Sequence, residues 1–212
     1  SPDSALTLFQ LMLQRLGSRL NAFELIPQIG LDFQLRHGML DADPTASPSR
    51  WYALIEVTRM AGTEPGALQS ALENAFERDL ITDATLAESL AERTRMWTFR
   101  EQMSECQSKE GASIKHDVSV PIAAVPALIA EGTAAAERIA PGIRPVPFGH
   151  MGDGNIHFNF SQPAGADPKA FMAQYDEAVH EVIYETVLKL GGSVSAEHGI
   201  GQLKVDLLKQ VK

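Results

Sequence analysis

The sequence predicts an α+β fold in which antiparallel sheets pack against helices. The main observation comes from the second half, where apolar residues alternate in four segments and recur at helical spacing in two others. In chain order these segments read strand, helix, strand, strand, helix, strand: 113–121, 122–140, 143–152, 155–163, 167–190 and 193–197. This order is typical of a ferredoxin-like unit. In addition, 44% of the 212 residues are hydrophobic, which is enough for a packed core.

The first half is predicted to repeat this plan in a degenerate form. Apolar periodicity predicts four helices and two strands there: helices over 4–20, 29–38, 65–78 and 83–109, and strands over 21–27 and 51–60. The last of these helical stretches contains no proline or glycine, and it is predicted as one long helix or as two abutting helices. We therefore expect two tandem ferredoxin-like halves, residues 1–110 and 111–212.

Composition excludes several classes of protein. The net charge is -9 and no dense basic run is present, which argues against nucleic acid or an anionic membrane as the main partner. No apolar run approaches the length of a membrane-spanning helix. The single cysteine, Cys106, cannot form an internal disulfide, which indicates a reducing compartment or a protein indifferent to redox conditions. We expect the cytoplasm, or the mitochondrial matrix in a eukaryote. The start at Ser1 and the helix-like pattern at Lys212 predict a piece of a longer protein.

Two histidines flank a predicted hairpin turn. Asp153-Gly154 lies between two alternating segments, a strong hairpin signal that would place His150 directly opposite His157. Asn159 would share their face, because side chains alternate along a strand. Two close imidazoles suit a divalent metal, although a pair of solvated or hydrogen-bonded histidines fits the same pattern. The opposite face is predicted to meet the core through Met151, Ile156, Phe158 and Phe160.

Two further clusters carry groups suited to catalysis. Glu197 and His198 follow the last predicted strand, where a carboxylate could complete a metal site with open positions and an imidazole could act as an acid or base. Arg100 and Ser104 are spaced to share a helix face, and Arg100 and Lys115 could both bind a carboxylate substrate. From the residues alone, a metal-dependent hydrolase and a non-catalytic metal-binding module remain alternatives.

Three segments together resemble a known family. GHMGDGNIHFNF (149–160), SAEHGIGQLK (195–204) and the run from Arg100 to the proline after Val120 are similar to the C-terminal domain of FAD-linked oxidases. This family comprises flavin D-2-hydroxyacid dehydrogenases, which act on D-2-hydroxyglutarate or D-lactate, and the flavin subunit of glycolate oxidase. LNAFELIP and RWYALIEV also resemble the family, so the similarity covers nearly the whole chain.

The resemblance implies a role for each candidate residue. It implies metal ligands at His150, His157 and Glu197, a catalytic base at His198, and substrate-binding groups at Arg100, Ser104, Lys115 and Asn159. The metal would be zinc, with manganese, iron and cobalt as alternatives. Threonine is usual in the 2-hydroxyglutarate enzymes where Ser104 stands here, and serine keeps the hydroxyl.

The resemblance also implies a fold, a cofactor and partners. The family's domain consists of two ferredoxin-like halves that cap the flavin. Its FAD is held mainly by an N-terminal domain with a glycine-rich phosphate loop, and no such loop is present in this sequence. The expected partners are a small 2-hydroxyacid, the FAD-binding domain of the same polypeptide, and an electron acceptor such as electron-transfer flavoprotein, a quinone or an iron-sulfur protein. A homodimer is also compatible with the resemblance. We expect this chain to be inactive without the flavin domain.

Overall fold

The computed structural model describes residues 1–58 and 66–195. The helices are α1 (Pro2–Leu16), α2 (Gln28–Arg36), α3 (Ala67–Glu77), α4 (Leu90–Glu101), α5 (Met103–Ser108), α6 (Val125–Ile139) and α7 (Pro168–Lys189). The strands are β1 (Leu20–Pro27), β2 (Trp51–Val57), β3 (Ser113–Ile114), β4 (Asp117–Ser119), β5 (Arg144–His150) and β6 (Asn155–Ser161). No helix in these described residues is long and apolar enough to cross a membrane.

The strands form one antiparallel sheet, and the predicted α+β class is confirmed. The strand order is β2-β1-β5-β6-β3, and β4 also pairs with β6. β3 and β4 keep one register, because Ile114 lies opposite Phe160 and Asp117 lies opposite His157. β1 pairs with β5, so strands from residues 1–110 and 111–212 hydrogen-bond to each other. The division at Gly111 and the tandem ferredoxin-like plan stay predictions.

Helices cover both faces of the sheet. On one face, α1, α3, α6 and α7 enclose the larger apolar cluster, which includes Phe23, Ile156, Phe158 and Phe160. On the other face, α2, α4 and α5 enclose a smaller apolar cluster that includes Ile26, Phe99, Met103, Val146 and Phe148. The alternation predicted for residues 155–161 is therefore correct, since every second side chain of β6 enters the larger cluster.

The helical stretch predicted over 83–109 begins later than predicted, at Leu90. Helix α4 begins after Ser89, whose side chain accepts from the backbone N–H of Glu92 while the Glu92 carboxylate accepts from the backbone N–H of Ser89. This reciprocal capping box starts a helix, so the residues before it are not helical. Gln102 alone separates α4 from α5, so the alternative of two abutting helices is the one that the structure has.

The β5–β6 hairpin has a longer turn than the sequence predicts. Residues 151–154 connect the strands, so His150 pairs with Asn155, and His157 pairs with Phe148. A close backbone contact accompanies this turn, because the carbonyl of Gly154 accepts from Val120 N at 3.1 Å. Gly154 has a φ of 80°, and a Cβ there would lie 2.0 Å from the Val120 carbonyl oxygen. The direct His150–His157 pairing is therefore wrong, but the shift of two residues keeps both side chains on one face.

Candidate functional site

The polar side chains of the sheet gather where β1, β5 and β6 lie side by side. They share the face covered by α2, α4 and α5, but they lie beyond the apolar cluster under those helices. Glu24 and His150 are a cross-strand pair, as are His150 and Asn155, and as are Asp117 and His157. The sheet register therefore brings residues from four strands to one place.

The two histidines lie close together, each with a carboxylate near its Nδ1 atom. Their ring centroids are 6.3 Å apart, as diagonal neighbours on adjacent strands. His150 Nδ1 is 2.5 Å from Glu24 Oε1, within hydrogen-bond distance. His157 Nδ1 is 3.8 Å from Asp117 Oδ1, which is longer than a hydrogen bond. When Nδ1 faces a carboxylate, Nε2 is the nitrogen that is oriented to bind a metal ion.

Glu24 also binds the arginine predicted to hold substrate. Its Oε2 atom accepts from Arg100 Nε at 2.6 Å, and its side chain is only 1% exposed. The Arg100 guanidinium lies 4.8 Å from the centroid of the Phe148 ring, and the Phe148 and His157 rings are 5.0 Å apart. In the described part of the chain, the terminal nitrogens of Arg100 make no hydrogen bond. They therefore have donors that could pair with a carboxylate.

Asn159 lies on the same face, two residues beyond His157. It is 3% exposed, and its Oδ1 atom accepts from the backbone N–H of His116 at 3.2 Å. This bond orients the amide so that its Nδ2 atom is the group that could donate to a ligand.

The other predicted substrate groups are not joined to Arg100 in the described residues. Ser104 is exposed on α5, and Gln102, whose backbone is also right-handed helical, separates it from Arg100 on α4. The helix face predicted to be shared by Arg100 and Ser104 stays a prediction. Lys115 is exposed in the interval between β3 and β4, level with Asn159 by the register of those strands. No hydrogen bond or ion pair within residues 1–58 and 66–195 links Arg100 to either of them.

The predicted third ligand and base lie outside the described residues. Glu197 and His198 are both in the segment after residue 195. Within the ranges that the structure describes, no three His, Cys, Asp or Glu side chains are grouped to hold a metal ion. The roles predicted for His150, His157, Glu197 and His198 therefore stay predictions.

The sequence analysis missed Glu24. The side chain is buried in a strand whose other residues after Ala22 are apolar, FELIP, and its partners lie 76 and 126 residues away. A single acidic residue within an apolar strand could have predicted a buried, partnered carboxylate, because a buried carboxylate needs hydrogen-bond or ionic partners. The identity of those partners could not be read from the sequence.

A cleft opens beside this cluster. It has a volume of about 320 Å³ and is lined by Glu24 and His150 together with residues of α1, β1 and the 151–154 turn. A second cavity of about 370 Å³ lies at β2 and is lined mainly by apolar residues, and neither histidine contacts it. Of the polar cluster, only Glu24 and His150 line the smaller cleft, so we take the cluster itself as the candidate site and the cleft as an opening beside it.

Comparison with known proteins identifies the family. The whole chain, residues 1–212, matches the family described as FAD linked oxidases, C-terminal domain. The D-2-hydroxyglutarate dehydrogenase of Xanthomonas citri pv. viticola is 32% identical over 209 residues, which cover 96% of this chain and 43% of that protein. The enzyme of the same name from Stutzerimonas stutzeri is 35% identical over 192 residues, covering 90% of this chain and 40% of that protein.

A mitochondrial relative shows the same pattern of coverage. The D-2-hydroxyglutarate dehydrogenase of Bos taurus is 33% identical over 198 residues, 91% of this chain and 34% of that protein. The chain thus spans less than half the length of each of these relatives. The resemblance read from the three sequence segments is confirmed: this chain belongs to the FAD-linked oxidases and corresponds to their C-terminal domain.

Proposed function

We propose that this chain is the substrate-binding and metal-binding part of a flavin-dependent dehydrogenase that oxidises a D-2-hydroxyacid to a 2-oxoacid. The observation that carries the proposal is the shared carboxylate of Glu24, which holds Arg100 and His150 side by side on the face that also carries His157. A guanidinium with available donors suits a carboxylate substrate, and two adjacent imidazoles suit a divalent ion. Similarity to D-2-hydroxyglutarate dehydrogenases supports D-2-hydroxyglutarate as the substrate.

The donor set fits a divalent metal. His150 and His157 would bind it through Nε2, since a carboxylate faces Nδ1 of each ring, and Glu197 would be the third ligand by family resemblance. Two histidines and one carboxylate leave positions open for a substrate. A bound divalent ion, with zinc as the first choice and manganese, iron or cobalt as alternatives, would supply Lewis-acid polarisation of the substrate oxygens.

The chain's own residues would bind and orient the diacid. Arg100 would bind one carboxylate with its terminal nitrogens, because Nε is already bonded to Glu24. Lys115, which is level with Asn159, would bind the second carboxylate, with Ser104 as an additional hydroxyl donor. Asn159 Nδ2 would donate to a substrate oxygen. These contacts would fix the position of C2 and so lower the entropy cost of reaction.

Proton transfer would fall to His198. As the C2–H bond breaks, one ring nitrogen of His198 would accept the proton of the 2-hydroxyl group, and the carbon would become a carbonyl. FAD, bound by another part of the polypeptide, would accept the C2 hydrogen and its electron pair. An electron-transfer flavoprotein, a quinone or an iron-sulfur protein would then reoxidise the flavin.

Anaerobic bleaching of the flavin tests this function. The full-length protein would be purified with its flavin and mixed with the D- and L-forms of 2-hydroxyglutarate, lactate and malate. We expect D-2-hydroxyglutarate to bleach the flavin absorbance and its L-form to leave it unchanged. A protein that binds no flavin, or a flavin that none of these acids bleaches, would contradict the proposal.

Removing the metal tests its role separately. Dialysis against a chelator should abolish bleaching by D-2-hydroxyglutarate, and zinc or another divalent ion should restore it. The flavin spectrum before substrate addition serves as the control for an intact protein. Full turnover in metal-free protein would rule out a catalytic metal while leaving the dehydrogenase proposal intact.

A further inference from the structure

We propose that Glu24 is a positioning residue that orients two groups at once, the imidazole of His150 and the guanidinium of Arg100. The functional meaning of this inference rests on the proposed function, in which those two groups bind the metal and the substrate. The contacts that carry it do not depend on that function, because both are present in the fold itself.

The position of Glu24 makes it a bridge between strand and helix. It lies on β1 directly opposite His150 on β5, and its side chain is 1% exposed. One carboxylate oxygen is 2.5 Å from His150 Nδ1, and the other is 2.6 Å from Arg100 Nε on α4. Each oxygen therefore has one nitrogen partner, from a different element of the fold.

These two hydrogen bonds determine how His150 and Arg100 are oriented toward the site. A carboxylate accepts hydrogen bonds and does not donate them, so a neutral His150 ring carries its proton on Nδ1 and has its lone pair on Nε2. For the same reason Arg100 turns its Nε–H toward Glu24, and the guanidinium edge formed by its two terminal nitrogens then points away from Glu24. One residue thus sets the tautomer of a predicted metal ligand and the orientation of the predicted substrate-binding arginine.

Glu24→Gln breaks this arrangement while keeping the size of the side chain. Glutamine has one acceptor oxygen and one donor amide, whereas both His150 Nδ1–H and Arg100 Nε–H are donors. If the oxygen remains with Arg100, the amide faces His150 and favours the opposite tautomer. If the amide rotates, two donors meet at Arg100. Glu24→Asp keeps both oxygens on a shorter side chain and should therefore behave in an intermediate way.

A matched control is available on the neighbouring strand. Glu56 on β2 also joins a strand to α4, because it accepts from Arg93 Nη2 at 2.6 Å and from Trp97 Nε1 at 2.7 Å. It has no contact with either histidine in the described residues. Glu56→Gln therefore measures the structural cost of removing a carboxylate that ties α4 to the sheet.

The first readout is the His150 tautomer in the metal-free, full-length protein. Nitrogen NMR of ring-labelled histidine, assigned with His150→Gln, should show the proton on Nδ1 in the wild type and a shift toward Nε2 in Glu24→Gln. Glu56→Gln should leave the His150 signals in place. A wild-type proton on Nε2, or identical spectra for wild type and Glu24→Gln, would overturn the proposal.

The second readout separates metal from substrate binding. Zinc affinity, measured by chelator competition without substrate, should fall roughly 10- to 100-fold in Glu24→Gln, as expected when a partner of a metal-binding histidine is lost. With saturating zinc, KM for D-2-hydroxyglutarate should rise about tenfold, since an arginine is misoriented. Equal losses in Glu56→Gln would identify general destabilisation and overturn the proposal. If the wild type binds neither zinc nor substrate, the proposed function fails, and the tautomer measurement still decides the role of Glu24.

Discussion

The two faces of the sheet use the same strands for opposite purposes. On β6, Ile156, Phe158 and Phe160 are fully buried against α1, α6 and α7. The residues between them, His157 and Asn159, face the other way. His157 lies near the Asp117 carboxylate, and Asn159 accepts from the backbone N–H of His116. Packing is the requirement on the first face, and hydrogen-bond partners are the requirement on the second.

Substitutions on the apolar face should therefore lower stability, and substitutions on the polar face should impair function. The apolar face is close-packed: a Cβ at Gly132 of α6 would lie 2.4 Å from Phe158 Cε1. The polar face keeps its imidazoles partly accessible, with 37% of the His150 side chain and 19% of the His157 side chain exposed. Adjacent residues of one strand should therefore give contrasting variants.

The largest effect should follow from His157→Ala. If His157 is a metal ligand, its removal forfeits several kcal/mol of Lewis-acid stabilisation, which corresponds to roughly a 1000-fold loss in kcat/KM. The free energy of unfolding of the metal-free protein should change by only about 1 kcal/mol, because the ring is partly exposed. Kinetics with D-2-hydroxyglutarate and denaturant unfolding measure the two quantities. Retained turnover would remove His157 from the site.

The next effect should come from the adjacent residue, Phe158→Ala. This side chain is fully buried, so truncation should lower the free energy of unfolding by about 3–5 kcal/mol. In the protein that remains folded, zinc affinity should stay near the wild-type value. Urea unfolding and chelator competition would check this pair of outcomes. A large loss of zinc affinity with little loss of stability would reverse the contrast between the faces.

The sequence predicts which side chains share a face of the sheet, but it does not predict which residues pair across the β5–β6 hairpin. Alternation along residues 155–161 fixes which side chains share a face, and the structure agrees with it. The register predicted from Asp153-Gly154 differs from the observed one by two residues, and in the observed turn Val120, which lies outside the hairpin, donates its N–H to the Gly154 carbonyl. Each side chain still lies on its predicted face of the sheet, because the register differs by an even number of residues.

The sequence predicts most of the residues of the candidate site, but only some of the contacts that bring them together. His150, His157 and Asn159 lie on one strand pair, so local periodicity could group them. The partnership of Glu24 with Arg100 and His150 depends on the β1–β5 pairing and on the docking of α4, both of which are long-range. The face predicted to be shared by Arg100 and Ser104 spans the junction of α4 and α5 at Gln102, and it stays a prediction.

A smaller effect is expected from a second buried carboxylate, Glu110. Burial raises its pKa, but hydrogen bonds from Arg144, His37 and Arg36 outweigh burial and hold the pKa of Glu110 below its ordinary value of 4.5. The unfolded chain therefore binds this proton more readily than the folded one. The stabilisation from Glu110 should be fully present above about pH 4.5 and should disappear as the pH falls through the lowered pKa.

Glu110→Gln tests this contribution. Near neutral pH the variant should be less stable than the wild type by about 1–3 kcal/mol, because charged hydrogen bonds to a side chain that is 7% exposed are lost. Unfolding measured from pH 6 to pH 3 should show the difference shrinking in acid. Zinc affinity should not change, which would contrast Glu110 with Glu24. A stability gap that is constant across this range would contradict the assigned pKa direction.

The smallest effect concerns the thiol of Cys106, which reports on the helices that cover the polar face. Burial raises the pKa of Cys106 to about 12, so the thiol is protonated near neutral pH, where only a thiolate reacts readily. It lies in the apolar cluster with Val146 and Phe148, so a reagent can reach it only when α5 leaves the sheet. Iodoacetamide labelling at pH 7.5, followed by mass spectrometry, should therefore be slow and should accelerate with denaturant.

Ser104→Cys combined with Cys106→Ser provides the control, because residue 104 is exposed on the same helix and should react without unfolding. Rapid labelling of native Cys106 would mean that α5 opens freely. The apolar cluster on this face would then be as accessible as the polar site beside it, which contradicts the prediction.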